Sequence, residues 1–417
     1  PPAPRNRLRF VTAAALFDGH DAAINVMRRI LQAQGAEVVH LGHNRSVDEI
    51  VTAAIEEDAH GIAVSSYQGG HVEFFKYMVD RLNKLGAGHI KVFGGGGGTI
   101  VPAEMRELHD HGVERIYSPY DGQTLGLTGM IADMMSRADA DLAAQPPKDL
   151  KALDTAHTGV LARILSAIEA GTLDPGMMAE IEERAKARTV PVLGITGTGG
   201  AGKSSLTDEI VLRFRLDRPE LTIALIAVDP TRRRTGGALL GDRIRMNAIH
   251  KPGVYMRSLA TRTSGKEIAE ELPEAIAAAK AAGYDLVIVE TSGIGQGDAA
   301  IVPLVDLTLY VMTPEFGAAS QLEKIDMLDL ADLVAVNKFD RKGGHDAVRD
   351  VSKQVQRNRE SFGSKPEEMP VFGTIASRFN DDGVTALYQG LLDAFRDRGL
   401  ADWRSHWPAV ETRHSSQ

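Results

Sequence analysis

The sequence predicts an α/β protein: two doubly wound units, the first a flavodoxin-like five-stranded sheet, the second a P-loop unit, with a helical connector between them. Two observations predict this. Short runs rich in Val, Ile and Leu alternate with helix-length amphipathic stretches, first over residues 8–138 and again over 190–395. The chain has 417 residues, and at roughly 150 residues per domain that implies two to three domains.

In the first unit the apolar runs are residues 8–13, 37–41, 61–65, 90–93 and 114–117, separated by amphipathic stretches at 22–34, 47–57 and 73–85. Strands that alternate with helices form a parallel sheet covered on both faces, and such sheets bind ligands beyond their carboxyl ends. The pattern lapses at 139–149, around Pro146-Pro147. Residues 150–187 then read as helical, with Leu161, Ile164, Leu165 and Ile168 on one face and a break between Gly171 and Gly176. The second unit's runs are 190–196, 221–228, 286–290, 307–312, 333–337 and 370–374. The expected boundaries are 1–138, 139–187 for the linker, 188–397, and 398–417 as a helical tail. Trp403 and Trp407 in that tail would dock on the chain's own domain or on a second subunit, as in a homodimer, or the tail would serve as a linker.

A net charge of −9 argues against nonspecific binding to nucleic acid or anionic membrane. Zero Cys excludes disulfides, thiolate metal sites and cysteine nucleophiles, and fits a reducing, cytoplasmic compartment. No apolar run approaches the ~18 residues of a membrane span, and no signal-peptide pattern opens the chain. It begins Pro-Pro-Ala-Pro without Met, so residue 1 is not expected to be the native start.

Gly197, Gly199, Gly200, Ala201, Gly202, Lys203 and Ser204 fit GxxxxGK[ST] between a strand and a helix. Backbone N–H groups of such a loop, continuing into Ser205, wrap phosphate at a helix N-terminus. Lys203 is expected on the β- and γ-phosphates, and the Ser204 hydroxyl on magnesium. Asn337, Lys338, Phe339 and Asp340 fit NKxD after another strand. The Asp340 carboxylate can accept from both guanine donors, N1–H and the 2-amino group, which selects GTP over ATP. Ser377, beside Ala376, is a further candidate for base contact. Asp229, Asp242 and Glu290 are the candidate magnesium carboxylates. Asp242 sits in a Gly-rich segment, 236–246, that is expected to move. Gly293 is placed to offer its N–H to a γ-phosphate, so the expected catalytic set is Lys203, Glu290 and Gly293. Ile294 follows and cannot orient water as a Gln would, so slow intrinsic hydrolysis is expected.

After the first strand stand Asp18, Gly19, His20 and Asp21. Ser65, Ser66 and Tyr67 end the third strand, and Gly94-Gly95 end the fourth, so all three groups share one rim. A neutral imidazole there can ligate a metal, with Asp18 holding its other nitrogen. The glycine run from Gly94 leaves room for something bulky and flat.

This pattern resembles the cobalamin-binding domain of coenzyme-A mutases, with signature DxHxxG, SxL and GG; Ala23 and Tyr67 replace the motif Gly and Leu. The resemblance implies that His20 is the lower axial ligand of cobalt, Asp18 its partner, Ser65 a contact to the displaced benzimidazole, and Gly94 and Gly95 flanks of the nucleotide tail. The second unit resembles the GTPase chaperones of those mutases, which would put Arg245 near the phosphates and an additional switch at 317–327. Both units in this order resemble the N-terminal half of the fused isobutyryl-CoA mutase family. That implies GTP-gated loading or removal of adenosylcobalamin, received from a cofactor-supplying enzyme. It also implies a radical acyl-CoA mutase reaction, isobutyryl-CoA to n-butyryl-CoA, once a substrate-binding barrel absent from these residues is present. The alternatives are a cobalamin sensor coupled to a GTPase signalling switch, and a small-molecule kinase beside an unrelated flavodoxin-like fold.

Overall fold

The computed structural model describes residues 3–14, 22–65, 70–95, 100–229, 237–262, 269–291 and 295–416. Its strands, in chain order, are β1 (Arg9–Ala14), β2 (Glu37–His40), β3 (Gly61–Ser65), β4 (Lys91–Gly95), β5 (Arg115–Tyr117), β6 (Val192–Gly197), β7 (Ile223–Asp229), β8 (Ala238–Leu240), β9 (Val254–Ala260), β10 (Leu286–Thr291), β11 (Leu307–Met312), β12 (Leu333–Asn337) and β13 (Val371–Thr374). The chain forms two compact units. One comprises Pro1–Glu180, Asp229–Ile244 and Met256–Ala278; the other comprises Ile181–Val228, Arg245–Tyr255 and Ala279–Gln417.

The first unit's sheet has the order β5-β4-β3-β1-β2-β8, with every neighbouring pair parallel. Alternate residues feed two cores, as the pleat requires. Val11, Val39, Ile62 and Val64 pack on one face, and Phe10, Val38, Ala63 and Phe93 on the other. The sheet therefore has six strands where five were expected. β8 comes from the segment read as a moving Gly-rich loop: Ala238 pairs with Glu37 and Leu240 with Val39. Three residues are too few to show a period, but Ala238 and Leu240 are buried and Leu239 is exposed, as in a strand.

The first connector helix, Thr158–Ala170, buries the face made by Leu161, Ile164, Leu165 and Ile168. It starts at Thr158 rather than residue 150, and residues 150–157 form turns and bends. The next helix, Pro175–Lys186, contains the boundary between the compact units. The sequence boundaries placed all of 188–397 together, whereas 229–244 and 256–278 group with the first unit. Apolar residues of both excursions, Ala238, Leu240 and Ala260, belong to its core.

The second unit's strands follow the order β13-β12-β11-β6-β10-β7, and all of these pairs are parallel. The expected helical tail is not found. Helix Asp382–Asp397 stops where Gly399 takes φ 69°, and Leu400 N–H returns to the Phe395 carbonyl at 2.9 Å, a glycine-type helix stop. Trp403 then packs edge-on against Phe214 and Phe395, and Trp407 lies 5.6 Å from Tyr388, so both indoles dock on their own unit.

Candidate functional site

At the carboxyl rim of the first sheet, Ala14 of β1, Ser65 of β3 and Gly95 of β4 stand in register across adjacent strands. β2 lies on one side of β1 and β3 on the other, so the strand order reverses at this point, where such folds open a crevice. The three segments singled out in the sequence therefore start from one place. Ser65 is 4% exposed, and its hydroxyl has no hydrogen-bond partner among the described residues. Leaving a buried hydroxyl unpaired costs about 1–3 kcal/mol, and a polar group of a ligand would supply the missing bond. Among the described residues, only the Tyr117 carbonyl comes near a would-be Cβ of Gly95, at 3.6 Å. Gly94 is different: a Cβ there would meet Phe75 at 2.3 Å and Ile116 at 2.9 Å. Its missing side chain makes room for a core Phe, a correction to the view that the whole glycine run clears space for a ligand. Asp18, His20 and Tyr67 lie outside the described residues.

At the opposite, amino end of the same sheet is a buried charge cluster that the sequence did not reveal. Arg9 opens β1 and lies 3.1 Å from Glu37, 3.4 Å from Glu57 and 3.2 Å from Glu169. Arg243 reaches Glu56 at 3.0 Å and Glu57 at 3.2 Å. Arg257 reaches Glu169 at 2.5 Å, and Arg262 reaches Glu37 at 2.9 Å. Burial alone would raise the Glu37 carboxyl, but Arg9 and Arg262 hold it down to about 2. Three of these arginines come from the excursions at 229–244 and 256–278. The expected loose segment around Asp242 is thus anchored on both sides, by β8 and by Arg243. Asp242 itself is exposed.

In the second unit the loop after β6 leads into helix Lys203–Asp217. Gly202 has φ 78°, and a Cβ on it would meet the Asn337 amide at 2.6 Å, so only glycine fits. Ser204 Oγ donates to Glu290 Oε1 at 2.9 Å. A hydroxyl and a carboxylate this close are suitable first ligands for a hard divalent cation. Lys203 Nζ donates to the Thr291 carbonyl, a partner that sequence reading missed. Asp229 ends β7 and accepts from Gly241 N–H at 2.7 Å. Arg245 is exposed, Ser205 half-buried, and Gly293 lies outside the described residues.

The NKxD motif meets the glycine-rich loop through Asn337. Its Nδ2 donates to the Ala201 carbonyl at 2.8 Å, while its Oδ1 accepts from Thr374 Oγ1 at 3.0 Å and Ala376 N–H at 3.2 Å. Lys338 Nζ donates to the Gly200 carbonyl at 2.6 Å. One buried side chain therefore ties together the phosphate loop, the NKxD turn and the turn that carries Ser377. Asp340 and Ser377 are exposed at the mouth, and Asp340 lines a cavity of about 380 Å³. Residues 161–400, more than half of the chain, match the family of the methylmalonyl Co-A mutase-associated GTPase MeaB.

The chain belongs to the MeaB family.

Residues 8–119 match the B12 binding domain, so a cobalamin-binding domain precedes the MeaB GTPase domain in one polypeptide. Over 99% of its length the chain is 66% identical to a fused isobutyryl-CoA mutase of Cupriavidus metallidurans and 61% identical to that of Nocardia farcinica. The protein of the same name from Geobacillus kaustophilus is 56% identical over 98% of the chain. The chain spans 38% of the length of each of these relatives. Both the α/β fold and the pairing of a corrin unit with a MeaB-family GTPase unit agree with the sequence reading.

Proposed function

We propose that this chain is a GTP-hydrolysing gate for adenosylcobalamin, serving a radical acyl-CoA mutase of the isobutyryl-CoA type whose substrate domain lies outside these residues. The observation that carries the proposal is chain continuity. β7 ends at Asp229, and the segment that follows becomes β8 of the corrin unit's sheet and delivers Arg243 to its buried carboxylates. A change at the end of β7 is therefore covalently linked to the sheet whose far rim carries Ser65.

In this reading the phosphate loop from Gly197 to Ser205 wraps the nucleotide. Lys203 exchanges the Thr291 carbonyl for β- and γ-phosphate oxygens. Ser204 and Glu290 would hold magnesium, with Asp229 the next carboxylate available; the ion would neutralise charge on the transferring phosphoryl group. Asp340 accepts from the guanine edge, and Ser377 sits beside it. When bound, adenosylcobalamin would supply a cobalt–carbon bond able to break homolytically. His20, held by Asp18, would ligate cobalt, and the Ser65 hydroxyl would bond the displaced base. Gly95 would flank the tail, and Tyr67 is a further candidate contact to the cofactor. A cytoplasmic homodimer that receives its cofactor from a supplying enzyme completes the proposal.

The test is cofactor transfer. Lys203→Ala should abolish the GTP dependence of cobalamin uptake while cobalamin binding itself, read from its absorption spectrum, persists. Uptake that responds to GTP equally in the variant and the parent would overturn the gating proposal.

A further inference from the structure

The segment Arg413–Ser416 lies along the edge strand β13. Gly373 N–H donates to the Arg413 carbonyl at 2.8 Å, and Ser415 N–H donates to the Gly373 carbonyl at 2.9 Å. Gly373 and His414 form a parallel bridge. The segment thus adds a single bridge to the sheet edge at the place where β13 turns into Ile375, Ala376 and Ser377. An edge strand with open backbone groups accepts such a partner readily.

Side chains of the segment reach both base-selecting turns. The His414 ring stacks on Phe339 of the NKxD motif, with centroids 5.4 Å apart and planes 25° apart, and His345 closes the group edge-on. Phe339 immediately precedes Asp340. Ser415 is 1% exposed, and its hydroxyl donates to Asp381 Oδ2 at 2.9 Å. The same Asp381 oxygen accepts from Ile375 N–H at 3.1 Å and from Val384 N–H at 3.0 Å. Asp381 thereby pins the Ser377 turn to the N-terminus of helix Asp382–Asp397, and Ser415 supplies the third donor to the same oxygen. Arg378, next to Ser377, donates to the Ser416 carbonyl at 2.6 Å. Ser415 and Ser416 line the cavity that Asp340 also lines.

We propose, on the guanine-nucleotide reading above, that His414 and Ser415 are positioning residues for base recognition. His414 holds the Asp340 turn through Phe339, and Ser415 holds the Ser377 turn through Asp381. Neither needs to touch the nucleotide. Loss of either loosens the aim of Asp340 at the two guanine donors while leaving the phosphate loop, anchored by Asn337 and Lys338, in place. The consequence falls on discrimination: GTP, which offers N1–H and a 2-amino group, loses more affinity than inosine triphosphate, which offers N1–H alone.

The experiment measures dissociation constants for GTP and inosine triphosphate in the 417-residue chain and its variants, together with each variant's melting midpoint. His414→Ala and Ser415→Ala should lower the preference for GTP over inosine triphosphate by ~10-fold, the size of one lost or slackened hydrogen bond. His414→Phe, which keeps the stack, should restore it. Equal weakening of both nucleotides, or no change in either, would overturn the proposal. A parent chain that binds no guanine nucleotide would instead overturn the nucleotide reading on which it rests. Should Ser415→Ala fail to fold, His414→Ala carries the comparison, and Ser415→Thr, which keeps the hydroxyl, should hold the parent's preference; a lost preference in Ser415→Thr with the parent's melting midpoint would overturn the role given to the hydroxyl.

Discussion

Asn337 donates its side-chain amide to the carbonyl of Ala201 at 2.8 Å, joining the NKxD turn to the glycine-rich loop after β6. The side chain is buried and bonded at both ends, its oxygen taken by Thr374 and Ala376. Asn337→Ala leaves these partners unsatisfied. A loss of about 1–3 kcal/mol in the alignment of the two loops corresponds to roughly 10- to 100-fold weaker nucleotide binding. The expected result is a parallel rise in the dissociation constants of GTP and GDP, read by fluorescent-nucleotide titration. An unchanged titration would show that the loops align without this bond.

Ser204 Oγ donates to Glu290 Oε1 at 2.9 Å, and the two are proposed above as magnesium ligands. Glu290→Gln keeps the shape and removes the charge. GTP hydrolysis should fall by ~100-fold or more, and the magnesium concentration giving half-maximal activity should rise. GDP binding without magnesium should stay near the parent value. A variant with the parent's magnesium titration would remove Glu290 from the metal site.

Glu37 sits between Arg9 and Arg262, which hold its carboxyl down to about 2. Its charged form is favoured by the fold, so the stabilisation is present above the ordinary carboxylate value and disappears as pH falls towards 2. Glu37→Gln should therefore be less stable than the parent at neutral pH, by on the order of 3 kcal/mol. The gap should narrow as pH falls below about 4.5. Denaturant melts of both proteins across pH 2.5 to 7 check this. A gap that does not vary with pH would mean that the pair contributes through packing alone.

Arg243 is 1% exposed and bonds Glu56 and Glu57. Arg243→Ala takes an arginine from two buried carboxylates, leaving Glu57 with Arg9, and breaking a buried pair from one side costs about 3–5 kcal/mol. The expected signature is early loss of structure in the first unit, seen as faster hydrogen exchange in β2, β3 and the helix Val47–Glu56. Exchange confined to residues 237–244 would sink this expectation.

The phosphate loop and the NKxD turn were legible because each is a contiguous string whose chemistry is local, flanked by strands with strong apolar runs. The corrin rim was legible as strand ends, since period and spacing place Ser65 and Gly95 at the same height. β8, Arg243 and Ser415 were not legible. Nothing in Gly-Gly-Ala-Leu-Leu-Gly announces a strand that pairs with β2, and an Arg beside an Asp reads as a solvated pair until its distant glutamates are known. Gly94 shows the converse error: a glycine beside a plausible ligand rim was credited to the ligand, when Phe75 behind it accounts for the missing side chain.

The first unit is built from three stretches of chain, the last of which ends at Ala278. During translation, at about 5–20 residues per second, the amino-terminal sheet emerges early but must wait for β8 and then for Arg257 and Arg262 before its glutamates are neutralised. Until then it would be an unfinished nascent domain with an open edge at β2, and the order of ribosomal synthesis makes completion of the corrin unit follow emergence of the phosphate loop.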